Sequence, residues 1–223
     1  MEKHKHLIIT LDGPAGAGKS TVAKRLAQRL GVSYLDTGAM YRALTLKALR
    51  LKINLEDEEA LTALAKKTVI DFKEFGGHLH VVLDGEDVAE AIRSSEVTNN
   101  TFYAARTGGV REIMVNWQRA IGEKQSLVTD GRDQGTVAFP KATYKFYVDA
   151  DFEERARRRQ KELEAGGKSV DFEQLKKDMR DRDQKDFTRA VGPLKKADDA
   201  IVIDSTGLAV EGTVDKIMKY IKR

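Results

Sequence analysis

The 223 residues contain no cysteine. That excludes a disulfide framework and any zinc site built on thiolates, and it suits a reducing compartment. Long apolar runs are missing as well. The N-terminus reads Met1-Glu2-Lys3-His4-Lys5-His6, and the run from Leu7 to Leu11 stops at Asp12. Such a stretch is too short for a signal-peptide core or a bilayer span, so a soluble, cytoplasmic chain with no membrane partner is expected. Aromatic residues make up only 7% of the chain. They are sparse in the arginine-rich stretch 155–189, which deprives a nucleic-acid strand of stacking platforms, and the carboxylates interspersed there oppose a phosphate backbone. A net charge of +4 raises nucleic acid as a partner; this distribution favours small phosphorylated ligands instead.

What is present is an alternation of short apolar segments with helix-period segments, the pattern of a parallel sheet flanked by helices. Strands are expected near 7–11, 32–35, 126–130, 144–148 and 200–204. Helices are expected over Ala39–Arg50, over Leu55–Lys66 with Asn54 as N-cap, through Val110, Ile113, Met114, Trp117 and Ile121, and from Val210 to Ile221. Two regions interrupt the alternation. Residues 68–84 read as a hairpin turning at Gly76-Gly77, followed by a turn at Asp84-Gly85-Glu86-Asp87. Residues 151–189 read as two charged helices joined at Gly166-Gly167, a hinged hairpin.

Between the first strand and a helix patterned by Val22, Ala23, Leu26, Ala27 and Leu30 lies Gly13-Pro14-Ala15-Gly16-Ala17-Gly18-Lys19-Ser20, which fits G-x-x-x-x-G-K-[ST] at every fixed position. Glycines let backbone N–H groups curl around phosphate oxygens, Lys19 supplies a point cation, and Ser20 offers a hydroxyl to Mg²⁺. The strand ending at Asp130-Gly131-Arg132-Asp133 adds a carboxylate where Mg²⁺ or its water shell is commonly held, so Ser20 and Asp130 are the metal candidates. Arg132 is suited to fork a phosphate, and Asp133 to accept from an amino group on a base.

In the second charged helix the stripe Phe172, Leu175, Met179 continues by helical spacing to Arg182, Asp186 and Arg189, charged groups on the inward face. A ligand's phosphate and sugar, or a salt-bridge network, would explain them. Arg155, Arg158 and Arg159 share a face of the first helix, where they either meet Glu partners in solvent or neutralise phosphate charge.

These residues carry a resemblance to the bacterial cytidylate kinase family, which phosphorylates CMP and dCMP. The matching pieces are ITLDGPAGAGKST at 9–21, YLDTGAMYRALTLKAL at 34–49, DGEDV at 84–88 with Ile92-Arg93, VRE at 110–112, DGRDQGTVAFP at 130–140, VDADFEERARRR at 148–159, RDQKDFTRAVGPL at 182–194 and IDST at 203–206. The resemblance implies an α/β P-loop kinase fold: a five-stranded parallel sheet flanked by helices, an antiparallel insert and a helical lid. One kinase domain would span 1–223, with its core at about 1–66, 106–150 and 190–223, a monophosphate-binding insert at about 67–105 and the lid at about 151–189.

By the same resemblance, ATP would lie on Gly13 through Thr21, and Thr37 and Arg42 would line the monophosphate site. Arg42, Arg132 and Arg189 would hold the acceptor phosphate, Arg111 and Asp133 would read cytosine, and Asp186 would hold the sugar hydroxyls. Lys19 and the lid residues Arg155, Arg158 and Arg182 would act in catalysis, with ATP·Mg²⁺ as donor, CMP or dCMP as acceptor, and a monomer as the working form. Two positions depart from the family: Phe102 stands where a serine usually helps hold the cytosine amino group, its ring expected to pack in the core of the insert, and the proline usual shortly before Arg111 is missing, with Gly108-Gly109 in the vicinity. Related small kinases acting on UMP, AMP or another small acceptor remain open. A GTP-dependent switch is the rival from another class, but the N-K-x-D guanine motif of such proteins does not occur.

Overall fold

The run Ile8–Asp12 is buried at every position, which a strand achieves only inside a sheet covered on both faces. The computed structural model describes residues 6–75, 78–167 and 169–222, with the backbone alone at 74, 75, 78 and 79. Along it run β1 (Ile8–Asp12), α1 (Lys19–Leu30), β2 (Ser33–Asp36), α2 (Thr37–Arg50), α3 (Glu58–Lys66), β3 (Ile70–Phe75), β4 (His78–Leu83) and β5 (Glu86–Asp87). A one-turn helix at Ala91–Arg93 leads into α4 (Ser95–Arg106) and α5 (Gly108–Gly122). Then come β6 (Leu127–Gly131), a π turn at Gln134–Ala138, β7 (Tyr144–Asp149), α6 (Phe152–Ala165), α7 (Phe172–Thr188), β8 (Ile201–Asp204) and α8 (Val210–Met218). The chain forms two compact units, one of residues 1–35 with 119–223 and one of residues 36–118.

The first unit is built on the parallel sheet, in the order β2-β6-β1-β7-β8. Its register sets Leu11 beside Asp130 and Asp12 beside Gly131, so the strand that enters the phosphate loop and the strand that ends in Asp130 finish level. Ile9, Leu11, Val128, Phe146, Val148 and Ile203 from the strands meet Val22, Ala23, Leu26 and Ala27 of α1 and Val214 and Ile217 of α8 in one core. Burying such side chains stabilises by about 1.5–3 kcal/mol each. Helix α1 closes at Gly31, whose φ of 66° is the left-handed cap that glycine adopts without a Cβ clash.

The second unit holds the antiparallel sheet β3-β4-β5. Its proposed turn at Gly76-Gly77 lies outside the described residues; the flanking pair Phe75 and His78 is in register. The turn expected over Asp84–Asp87 contracts to Asp84-Gly85, with φ of 49° and 94°. Two positive φ values in succession match a two-residue hairpin turn, so Glu86 and Asp87 are released to pair with Leu83 and Val82 as a third strand. Val81 and Leu83 pack with Ala39, Ala43, Val88 and Ile92.

Two expectations need correction here. Asn54 does not cap α3: its side chain accepts from Glu56 N–H in a local turn, and Asp57 is the cap, accepting from Ala60 N–H. Both residue types bond a backbone amide a few positions on, and Asp57 is the one followed by the acidic first turn Glu58-Glu59, which favours the helix dipole. Helix α4 has no counterpart in the expected elements. Val97, Thr98, Asn99, Asn100 and Thr101 are poor helix formers, but Ser94 caps the helix through Val97 N–H, and Val97 and Ala104 are buried. Packing of α4 against α2 overrides the propensity.

Candidate active site

The N-terminus of α1 has neither a capping side chain nor an acidic first turn, whereas α8, which Ala209 likewise leaves without a side-chain cap, carries Glu211 there. Side chains of Asp36, Asp57, Ser94, Asp151 and Asp171 cap α2, α3, α4, α6 and α7. Gly18, at the cap of α1, has none to offer, and the first turn carries no acidic residue. The amides there and the positive end of the helix dipole are therefore left for an anion. Glycine is demanded at the loop's entrance: a Cβ on Gly13 would sit 2.0 Å from the Val148 carbonyl oxygen. Lys19 folds back so that Nζ donates to Pro14 O at 2.6 Å. Burial, and then the nearby Arg132 charge, push the Lys19 pKa down, a state that a polyanion at the loop would reverse.

Ser20 and Asp130 meet. The Ser20 hydroxyl donates to Asp130 Oδ2 at 2.7 Å, and the Tyr34 phenol donates to Oδ1 at 2.8 Å. Hydroxyl and carboxylate oxygens are the donors that a hard cation takes, so this pair fits Mg²⁺. Thr21 follows Ser20 on the exposed start of α1.

A buried carboxylate shapes the loop after β6. Asp12 accepts from Gln134 N–H with one oxygen and from Gly135 N–H with the other, at 2.8 and 2.7 Å. Burial raises its pKa from 3.8 to about 6 although both backbone bonds favour the charged form. This clasp holds the π turn directly after Asp133, whose side chain is buried. Nearby, Arg132 Nε donates to Asp186 Oδ2 at 2.7 Å, and Arg189 lies 3.6 Å from Asp133 and 3.8 Å from Asp186. Burial opposes the charge on Asp186, but Arg132, Arg182 and Arg189 outweigh it and hold the carboxyl below its ordinary range. The structure thus gathers Arg132, Asp133, Asp186 and Arg189 into one cluster.

The inward face of α7 is corrected by one residue. Arg182 is exposed and Asp183 is buried. From Met179, a helix of 3.6 residues per turn reaches the same face at either three or four positions on, and the fold takes the fourth. Asp183 Oδ1 accepts from Ala15 N–H at 3.1 Å, and Oδ2 pairs with Arg155 at 2.6 Å. Arg155 also donates to Ala15 O and Ala150 O. Arg158 bonds Glu154, the Ser205 hydroxyl and Ser205 O, while Arg159 pairs with Glu162.

In the second unit, Arg42 lies over the start of α2 with Nη2 at 3.3 Å from Asp36 Oδ2, and its buried Nε has no hydrogen-bond partner among the described residues. Thr37 is buried on the first turn of that helix. Arg111, buried on α5, donates to Ala105 O at 3.1 Å, and its guanidinium carbon lies 5.7 Å from the Tyr41 ring centroid. Phe102 does not enter the core of the insert: it is half-buried, edge-on to Tyr103, with Arg106 over its face at 5.5 Å. The face of α4 occupied by Val97 and Ala104 is the one that packs inward, and Phe102 lies off that face.

Asp12, Tyr34 and Asp183 are the groups that motif reading missed. Asp12 carried a signal, a carboxylate ending a strand that is apolar except for Thr10; Tyr34 carried none.

The sequence profile of the family described as cytidylate kinase matches residues 9–223. The chain is 52% identical over 219 residues to the cytidylate kinase of Desulforamulus reducens, covering 98% of each. It is 51% identical over 213 residues to that of a Geobacillus species, covering 96% of this chain and 95% of the relative. Among solved structures, an uncharacterized protein from Eubacterium ventriosum matches with a TM-score of 0.55 over 97% of this chain and 98% of its own, at 17% identity, a likeness of fold alone.

Proposed function

We propose, from the premise that this chain belongs to the cytidylate kinase family, that it transfers the terminal phosphate of ATP to CMP or dCMP, giving ADP and CDP or dCDP. The observation that carries the donor half is the uncapped N-terminus of α1, with Lys19 and Ser20 in its first turn. Family membership supplies the acceptor.

The acceptor oxygen belongs to a phosphate monoester and is already anionic, so no general base is needed; catalysis rests on position and charge neutralisation. Lys19 serves the outer phosphates from the loop Gly13–Thr21. Ser20 and Asp130 would hold Mg²⁺, which contributes charge neutralisation at the phosphates when bound. Arg42, Arg132 and Arg189 are the residues assigned to the acceptor phosphate, and Thr37 with Arg42 to the lining of the monophosphate site. Asp133 and Arg111 read cytosine, and Asp186 takes the sugar hydroxyls. Arg158 and Arg182 neutralise charge from the lid, residues 151–189, whose closure excludes water. The setting in this reading is a cytoplasmic monomer; among the described residues no helix is long and apolar enough to cross a membrane.

The test is a coupled assay of ADP release with CMP, dCMP, UMP and AMP as acceptors. Turnover on CMP and dCMP well above the other two supports the reading; a preference for UMP or AMP replaces it with a related kinase.

A further inference from the structure

We propose that Asp183 is a positioning residue for phosphoryl transfer: with Arg155 it clamps the two peptide units on either side of Ala15, and through them sets the phosphate loop and Lys19. This rests on the reading of Gly13–Thr21 as the ATP site.

Two consecutive peptide planes are involved. The Pro14–Ala15 plane has its N–H on Asp183 Oδ1 and its carbonyl under Lys19 Nζ. One rigid unit therefore links the carboxylate of α7 to the ammonium that faces phosphate. The Ala15–Gly16 plane has its carbonyl on Arg155 Nη1 at 2.9 Å. No peptide bond among the described residues is cis, and in a trans peptide the C=O and N–H point in opposite directions. Anchoring the Ala15 carbonyl on Arg155 thus forces the Gly16 N–H to face away from the lid helices.

The clamp is built to resist rotation. Arg155 is tied to Ala150 O by Nε and to Asp183 by Nη1, and both side chains are about nine-tenths buried, at 10% and 11% exposure. At Gly16, where φ is 76°, a Cβ would lie 2.9 Å from Arg155 O and 3.0 Å from Met179 Cε, so α6 and α7 rest directly on the loop. A glycine-rich loop has many backbone states. Fixing the carbonyl and the amide of one residue removes most of them before ATP arrives, which is the preorganisation that electrostatic catalysis depends on. In this proposal Arg155, which the family resemblance places among the catalytic lid arginines, acts with Asp183 through the loop's backbone.

Asp183→Asn keeps size and removes the charge that Arg155 needs. It is compared with wild type by kcat, KM for ATP and KM for CMP, and by calorimetric affinity for a non-hydrolysable ATP analogue with Mg²⁺, at a temperature where melting curves show both folded. The expected result is a loss of about tenfold or more in kcat/KM for ATP and in analogue affinity, with KM for CMP within about threefold of wild type. A residue that only holds the fold together would lower Tm and leave these values unchanged in folded enzyme, and that outcome overturns the proposal. The paired variant Arg155→Met with Asp183→Leu replaces the buried ion pair by apolar groups, which such sites commonly tolerate in stability. It should fold and keep the ATP defect. Wild-type ATP parameters in either folded variant overturn the proposal. Should wild type transfer phosphate to no nucleoside monophosphate, the acceptor assignment above falls, while analogue affinity in the same variants still decides this one.

Discussion

Ser20 and Asp130, 110 positions apart in sequence, are joined by a 2.7 Å hydrogen bond from hydroxyl to carboxylate. The Tyr34 phenol holds the other carboxylate oxygen, so Asp130 is oriented from two sides. Asp130→Asn preserves that shape and removes the charge. The Mg²⁺ concentration giving half-maximal rate should rise about ten- to a hundredfold, read by titrating MgCl₂ at fixed ATP. An unchanged requirement would remove Asp130 from the surroundings of the metal.

The Lys19 ammonium is held by the loop, donating to Pro14 O. Lys19→Ala should therefore cost about a hundredfold or more in kcat, some 2.7 kcal/mol of transition-state stabilisation, with little change in Tm. Activity within about tenfold of wild type would rule out its role at the phosphates.

Selectivity for the base is expected to rest on Asp133, since Phe102 brings no hydroxyl to replace the family's serine. A carboxylate accepts from the amino group of cytosine and faces a repelling carbonyl on uracil. Asp133→Ala should erode the preference for CMP over UMP in kcat/KM by about 1–3 kcal/mol. A wild-type ratio near unity, or one unaffected by the substitution, contradicts the assignment.

Asp12 gives a pH dependence whose sign is fixed by burial. Its native pKa is about 6 against an ordinary 3.8, so the native state binds the proton more tightly than the unfolded chain. Its contribution to stability is full below about pH 4 and is lost as pH rises through about 6. Urea unfolding of wild type and Asp12→Asn should show wild type losing about 2 kcal/mol relative to the variant between about pH 4.5 and pH 7. A constant difference across that interval would mean Asp12 stays charged throughout.

Arg155 and Ala156 at the start of α6 and Met179 and Asp183 on α7 are buried, whereas residues 164–167, at the junction between the two helices of the proposed lid, are exposed. Without ligand, amides near Gly166 should exchange fast and those around Met179 slowly; ATP with CMP should slow the tip alone. Uniform exchange along 151–189 would mean the lid moves as one piece.

The five strands of the parallel sheet were legible within one or two residues because each is a short apolar or β-favouring segment between helix-patterned stretches; only β1, buried at every position, sits wholly inside the sheet. The phosphate loop was legible because its glycines and Lys19 answer to one chemistry. Helix α4 was hidden, since its residues favour other backbone states and only packing on α2 selects the helix. Asp183 was hidden for a geometric reason: positions 182 and 183 are almost equally good continuations of a stripe ending at Met179, and only the docking of α7 on Ala15 separates them. Tyr34 sits on a short strand as any aromatic would, and its meaning lies in Asp130, distant in sequence.

The level register of β1 and β6 has a consequence for how this protein can change over generations. Leu127, Val128 and Thr129 pair with Ile8, Ile9 and Thr10 in turn, and Asp130 follows beside Leu11. A single codon gained or lost within those three residues would move Asp130 by about 3.3 Å and turn it to the opposite face of the sheet, away from Ser20. Volume-conserving substitutions at Leu127 and Val128 keep Asp130 on its face of the sheet, but changes of length do not. Heritable variation in this strand is thus confined to spelling and closed to insertion or deletion.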